Sequence, residues 1–472
     1  MSEVCFMPAH ELCRMVHSKE VSCEELVGLH YDQIERVNPL VNAIVTLVPR
    51  ERALRQAASI DRALAQGTDP GPLAGIPVVH KDLVPTKGIR TTFGSPIYRN
   101  HVPKVDGLIV ERLKAAGAVT LGKTNTPEFG AGCQTFNPVF GSTRNPWDLE
   151  KTCGGSSGGA AVAVACGMVP LADGSDTGGS LRNPANFCGV VGFRTSPGRV
   201  PFWPRSMAWF PLAVQGPIAR TVDDTALMLS VIAGPDARSP ISIMEPGEQF
   251  ARPLHRDFKG VKAAWCPDLG GLPLDRRVRT ALEQGKGALA HTGCSLEEAC
   301  PDLKGAQEVF RILRAWNMEL RFGSLLERHR DLIKDTVIWD IELGRKITGP
   351  DIGRAEVLRT KIYHRVRSFM EQYEFLLCAV NQVPPFHIEM PYVEEIEGVP
   401  MRTYYEWMST CYFISILGLP AISVPFGFTE DGLPVGLQIV GRYNDDLGVL
   451  QLAKAVEEAT GLSERRPHVV KS

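Results

Sequence analysis

Between residues 151 and 184 two glycine-rich segments are built around serine: Gly154-Gly155-Ser156-Ser157-Gly158-Gly159, then Asp176-Thr177-Gly178-Gly179-Ser180. This pair constrains the chain more than any other feature. Glycine lets a backbone turn sharply and lets a ligand approach N–H groups with no Cβ in the way. The Ala/Val-rich run between the segments predicts a helix from Ser157 to Cys166, followed by a strand over 168–172. A lone glycine turn capping a helix would need no chemistry, but two within about thirty residues ask for more. A serine among exposed N–H groups has what an acyl-transfer nucleophile needs, a free hydroxyl beside a ready oxyanion site. No histidine stands near either segment, so the base must come from elsewhere.

Around this stretch strands and helices alternate. Short apolar strands are expected at 76–81, 119–122 and 190–193, and helices at 108–116 and 221–233, the last opened by Thr221 and Asp223. Such alternation argues for an α/β fold. Upstream, Ser22-x-x-Glu25 forms a capping box before Leu26, Leu29 and Ile34 at helical spacing, and 50–66 reads as a second helix. From about 239 to 392 helical patterns dominate (275–291, 306–329, 351–373), read as a peripheral cover with solvated charges. Strand patterns return at 375–380, 421–424 and 435–440, and a last helix over 447–460 ends at Gly461. The expected organisation is an N-terminal helical layer (1–70) packed on one domain (71–472). That domain holds a large mixed β-sheet flanked by helices on both faces, with a helix-rich insertion at about 239–392.

Composition excludes several classes. A formal charge of −2 gives no basic footprint for nucleic acid. The longest apolar runs fall far short of the roughly 18–20 residues a membrane span needs, and residues 1–11 carry acids and no apolar core of a signal peptide. Twelve cysteines without a C-x-x-C pair read as reduced, mostly buried thiols, with no zinc site or disulfide framework. A cytoplasmic location is the resulting expectation.

Two motifs mislead. Gly117 to Thr124 fits the phosphate-loop pattern, but a helix precedes it and 119–121 reads as a strand inside the supposed loop. Gly155-Ser156-Ser157-Gly158-Gly159 fits a nucleophile elbow at Ser157, which needs a downstream acid and histidine; His291, His329, His364, His387 and His468 have no telling context.

Lys81 ends an apolar strand, so at least its stem should be buried. To act as a base near neutrality its pKa must fall by about 3 units from ~10.4, and burial acts in that direction. Ser156 follows Lys81 by 75 residues, and Ser180 follows Ser156 by 24. With Gly75-Ile-Pro-Val-Val-His-Lys81-Asp82, Gly122-Lys-Thr-Asn125-Thr-Pro-Glu128-Phe129, Asp176-Thr-Gly-Gly-Ser180-Leu-Arg182 and Gly418-Leu-Pro-Ala-Ile-Ser-Val-Pro425, the chain resembles the amidase signature family from about 75 to 441.

The resemblance implies the amidase signature fold and a Ser–cis-Ser–Lys triad: Ser180 as nucleophile, Ser156 on a cis peptide bond as bridge, Lys81 as base. The N–H groups of Thr177, Gly178, Gly179 and Ser180 would form the oxyanion hole. Asp176 and Arg182 would brace the nucleophile loop, and Ser157 would orient the cis bond or cap the helix. Phe129, Gly130, Ala131 and Gly132 would border the acyl site. Aromatic residues at Phe202-Trp203, Trp209-Phe210, Phe386, Tyr404-Tyr405-x-Trp407 and Tyr412-Phe413 suggest an apolar site for small aryl or acyl amides, anilides or hydrazides. No cofactor or metal is implied, and a homodimer is the expected assembly. The alternative is the glutaminase-like subunit of a tRNA-dependent amidotransferase. Asn381-Gln382-Val383-Pro384-Pro385-Phe386 departs from the Thr-Pro-Thr-like stretch common in the family and weighs against it.

Overall fold

The computed structural model describes residues 3–470. Eleven strands form one mixed sheet. They are β1 (Ile44–Leu47), β2 (Pro77–Lys81), β3 (Val119–Thr124), β4 (Leu171–Asp176), β5 (Val191–Arg194) and β6 (Val214–Ala219), then β7 (Lys262–Trp265), β8 (Ser295–Glu298), β9 (Phe375–Ala379), β10 (Ala421–Phe428) and β11 (Pro434–Val440). Their spatial order is β1-β3-β2-β4-β6-β5-β10-β11-β9-β7-β8. β2 runs parallel to both β3 and β4, while β4–β6, β6–β5, β5–β10, β10–β11 and β11–β9 are antiparallel.

The helices are α1 (Ala9–His17), α2 (Cys23–Val41), α3 (Arg50–Ala65), α4 (Leu108–Ala115), α5 (Gly158–Ala165), α6 (Arg182–Cys188) and α7 (Val222–Ile232). They continue as α8 (Arg276–Gly285), α9 (Ala306–His329), α10 (Asp335–Gly344), α11 (Gly349–Gln372), α12 (Ser409–Ser415) and α13 (Asp446–Thr460). Strand side chains alternate between faces, and the core divides accordingly. On β9, Phe375, Leu377 and Ala379 face one apolar cluster, shared with α1–α5, α7, α8 and α13. Leu376 and Cys378 face the other, shared with α9, α11 and α12. A third cluster joins Phe129 and Ala131 to Met318 and Phe322 of α9 and Val337 and Ile341 of α10. No helix among the described residues is long and apolar enough to cross a membrane.

Several expectations need adjustment. The strand expected over 168–172 begins only at Leu171 and runs on to Asp176. The region from 239 to 392 is more than a helical cover, because it also supplies β7 and β8 at the sheet's edge. Cysteine chemistry differs too: Cys266 and Cys300 form a disulfide, while the other ten cysteines stay reduced, nine of them buried. The reason lies in register. Parallel pairing sets Trp265 opposite Glu298, so the residues that follow β7 and β8 emerge side by side, with Cα atoms 5.3 Å apart.

Candidate active site

Lys81 is the last residue of β2, a strand with β3 on one side and β4 on the other. Its backbone N–H donates to Asp173 Oδ1 (3.0 Å), and Asp173 Oδ2 meets His80 Nδ1. The Lys81 side chain is fully buried, and its Nζ donates to Ser156 Oγ (2.7 Å), Ser157 Oγ (2.8 Å) and Ser175 Oγ (3.1 Å). Burial pulls its ammonium down to about 7, against the opposing pull of Asp176 and Asp173. Lys123 is equally buried and pulled by burial to about 8, but it donates to Val84 O and Thr86 Oγ1. The phosphate-loop resemblance around it has no loop, because β3 runs through the motif.

Ser156 follows a cis Gly155–Ser156 peptide bond and precedes α5. A Cβ at Gly155 would sit 2.9 Å from the Gln134 backbone, so the close approach there requires glycine. Ser157 occupies the N-cap position of α5, yet its side chain makes no cap bond; it accepts from Lys81 instead.

The second glycine segment turns at the end of β4. Asp176 Oδ1 accepts from Gly179 N–H (2.8 Å) and Oδ2 from Leu181 N–H (3.2 Å). Arg182 and Arg194, both fully buried, also bond Asp176 (3.1 and 3.0 Å). Burial opposes the Asp176 charge, but the two guanidiniums hold its carboxyl well below the usual range. The expected Asp176–Arg182 brace is thus a three-member cluster, with Arg194 the member that sequence reasoning missed. A charged residue ending the apolar run 190–193 was the available signal. Because Gly179 N–H bonds Asp176, it shapes the turn. The N–H groups of Thr177, Gly178 and Ser180 have no hydrogen-bond partner among the described residues.

Ser156 and Ser180 line one cleft with Ser175, Thr177 and Gly178. No hydrogen bond joins the Ser156 and Ser180 hydroxyls among the described residues; such contacts commonly tighten only when substrate binds. Phe129, Gly130, Ala131 and Gly132 line the same cleft. Gly130 has φ +71°, and a Cβ there would lie 3.6 Å from Ser156 Oγ and collide with Leu83. Of the aromatic residues singled out, Phe202, Phe210, Tyr405 and Tyr412 line the cleft. Trp209 is exposed, and Trp407 stacks on Phe187 in the core, with Phe386 against its edge. Phe310 of α9 was missed because its helix reads as solvated cover. It stacks on Tyr412 (4.3 Å) and closes over Gly178, where a Cβ would meet its ring at 2.7 Å. No histidine lines the cleft among the described residues, so the elbow reading of Ser157 has no base.

The family model described as Amidase matches residues 25–450. The chain is 36% identical to an acylamidase of Rhodococcus erythropolis over 465 residues, covering 98% of this chain and 97% of that protein. It is 37% identical to a glutamyl-tRNA(Gln) amidotransferase subunit from Geobacillus kaustophilus, covering 97% and 98%. Among solved structures, a bacterial aryl acylamidase of the amidase signature family superposes with a TM-score of 0.92 at 30% identity, covering 99% of this chain and all of that one. With matching fold, extent and sequence, the chain belongs to the amidase signature family and is an amidase, a hydrolase of non-peptide C–N bonds.

Proposed function

We propose that this amidase cleaves small aryl or acyl amides through an acyl-enzyme on Ser180, acting without partner subunits. The observation that carries the reading is the water-excluded Lys81 Nζ, 2.7 Å from Ser156 Oγ, in a cleft that Ser156 shares with Ser180. Neutral Lys81 takes the Ser156 hydroxyl proton as Ser156 takes that of Ser180. Ser180 Oγ attacks the amide carbonyl carbon. The open N–H groups of Thr177, Gly178 and Ser180 receive the oxyanion, each good donor contributing about 3 kcal/mol. Ser156 then returns a proton to the leaving nitrogen as the C–N bond breaks, since an unprotonated amide nitrogen leaves poorly. Water attacks the acyl-enzyme through the same relay and frees the acid. Phe129, Phe310 and Tyr412 supply the apolar walls that suit an aryl or alkyl group.

Identity to the Geobacillus protein supports a second reading, glutamine-dependent ammonia release within a complex. It predicts copurifying partner chains and ammonia from glutamine.

A serine-directed phosphonate followed by peptide mass spectrometry tests the main reading. Label on Ser180, no turnover in Ser180→Ala and a loss of several orders of magnitude in Lys81→Ala are expected with an anilide substrate. Near-normal activity in the lysine variant would overturn the relay.

A further inference from the structure

The cleft carries positive charge that its own walls do not balance. Arg314 and Arg321, two turns apart on α9, both line it, and no aspartate or glutamate does so among the described residues. Arg314 is compensated: it bonds Asp340 Oδ2 (2.9 Å) and the Tyr404 hydroxyl. Arg321 is not. Its guanidinium has no ion pair or hydrogen bond among the described residues and lies 4.7 Å from the Phe322 ring centre. Arg205 sits against other residues of the lining. It donates to the carbonyls of Ala213 (3.2 Å) and Phe210 (2.6 Å), lies 5.0 Å from the Phe202 ring centre, and has no carboxylate partner either. Phe202, Phe210 and Ala213 all line the cleft. Arg205 is half-buried, and burial and the repulsion of Arg321 pull it down to about 10, whereas Arg321 itself is exposed. Arg321 is thus an accessible cation in the cleft lining with no counter-charge of its own, open to a ligand that brings one.

Resting on the amidase reading above, we infer that the preferred substrates are amides bearing a carboxylate several bonds from the scissile carbonyl, the anion being received by Arg321. Position supports the length. Phe310, at the nucleophile loop, and Arg321 are eleven residues apart on one helix, about 16 Å along its axis. Between them Arg314, Asn317 and Met318 line the cleft, Arg314 already paired with Asp340, and just beyond Arg321 the Phe322 ring stacks on Phe129 at 4.3 Å. A monoanion fits better than a free α-amino acid, whose ammonium needs an acidic partner that the lining does not offer. The carboxylate can sit on the acyl or the amine portion, and the two arms of the test separate these.

The test compares matched acids and methyl esters: the mono-p-nitroanilide of glutaric acid for the acyl side, and 4-acetamidobenzoate for the amine side. In at least one pair the acid should show a kcat/KM tenfold or more above its ester. Arg321→Met should cut that ratio at least tenfold through KM, Arg321→Lys should restore part of it, and added salt should lower it. Equal rates for acid and ester in both pairs, or an acid advantage that survives Arg321→Met, would overturn the carboxylate site and leave the amidase reading standing. Should wild type turn over none of the four compounds, titration of the two acids into Ser180→Ala by calorimetry still decides. Binding lost in Ser180→Ala/Arg321→Met supports the site, and absence of binding overturns it.

Discussion

Burial, set against the pull of Asp176 and Asp173, leaves Lys81 half-protonated near neutrality, and that balance sets the expected pH response. Its pKa is depressed to about 7, so the neutral base is the major form above that pH and is lost below it. On the proposed relay, log kcat/KM should fall with unit slope as pH drops below about 7. Asp173→Asn keeps an oxygen for the Lys81 N–H but removes a negative charge that favours the ammonium. The acid limb should therefore move to lower pH in that variant; a pH–rate profile in which it stays put or rises would refute the argument. Lys81, Ser156 and Ser180 could be picked out from sequence because the motifs that carry the family resemblance surround them, each written within a few residues. Ser175, Asp173 and Arg194 could not, since each reaches the site only through strand register or a neighbouring strand's end.

α5 shows how closely the elements must approach. A Cβ on Gly159 would lie 2.4 Å from Asn125 N and 2.6 Å from Ala43 O, both rigid backbone. Gly159→Ala should therefore destabilise the protein by about 1–3 kcal/mol or more. Gly353, exposed on α11 with nothing near its would-be Cβ, offers the contrast. Gly353→Ala should stabilise by up to about 1 kcal/mol, because alanine restricts the unfolded chain and favours helix. Urea denaturation of both variants measures the two signs. Most long helices were legible to within about two residues, since period and caps suffice: α9 matches its expected span, and Thr221 caps α7 through Asp224 N–H, but the helix expected over 275–291 ends as α8 at Gly285 and gives way to 3-10 turns over Lys286–Thr292. Of the four-residue strands, β5 was anticipated at 190–193, but β1, β7 and β8 were not. β8 is Ser-Leu-Glu-Glu, whose composition carries no strand signal and whose pairing with β7 comes from tertiary contact.

Across the whole molecule, the last two strands sit in the middle of the sheet, β10 against β5 and β11 against β9. A chain ended at residue 418 would bare both of those partners as unpaired edges in the middle of the sheet, a template for aggregation. Such a truncation should give no cooperative unfolding transition and should associate in size-exclusion chromatography; a monomeric, cooperatively folding product would contradict it. The order of amino acids is enough to encode the alternating α/β texture, the helix-flanked sheet and the two serine segments, because hydrophobic period, caps and glycine turns are written within a few residues. Long-range packing settles the rest: α9 forms a wall of the cleft, Cys266 meets Cys300, and Asp176 holds two arginines. Each of these depends on which distant strands and helices lie side by side. That arrangement minimises the free energy of the whole packed core, and no short window of the chain contains it.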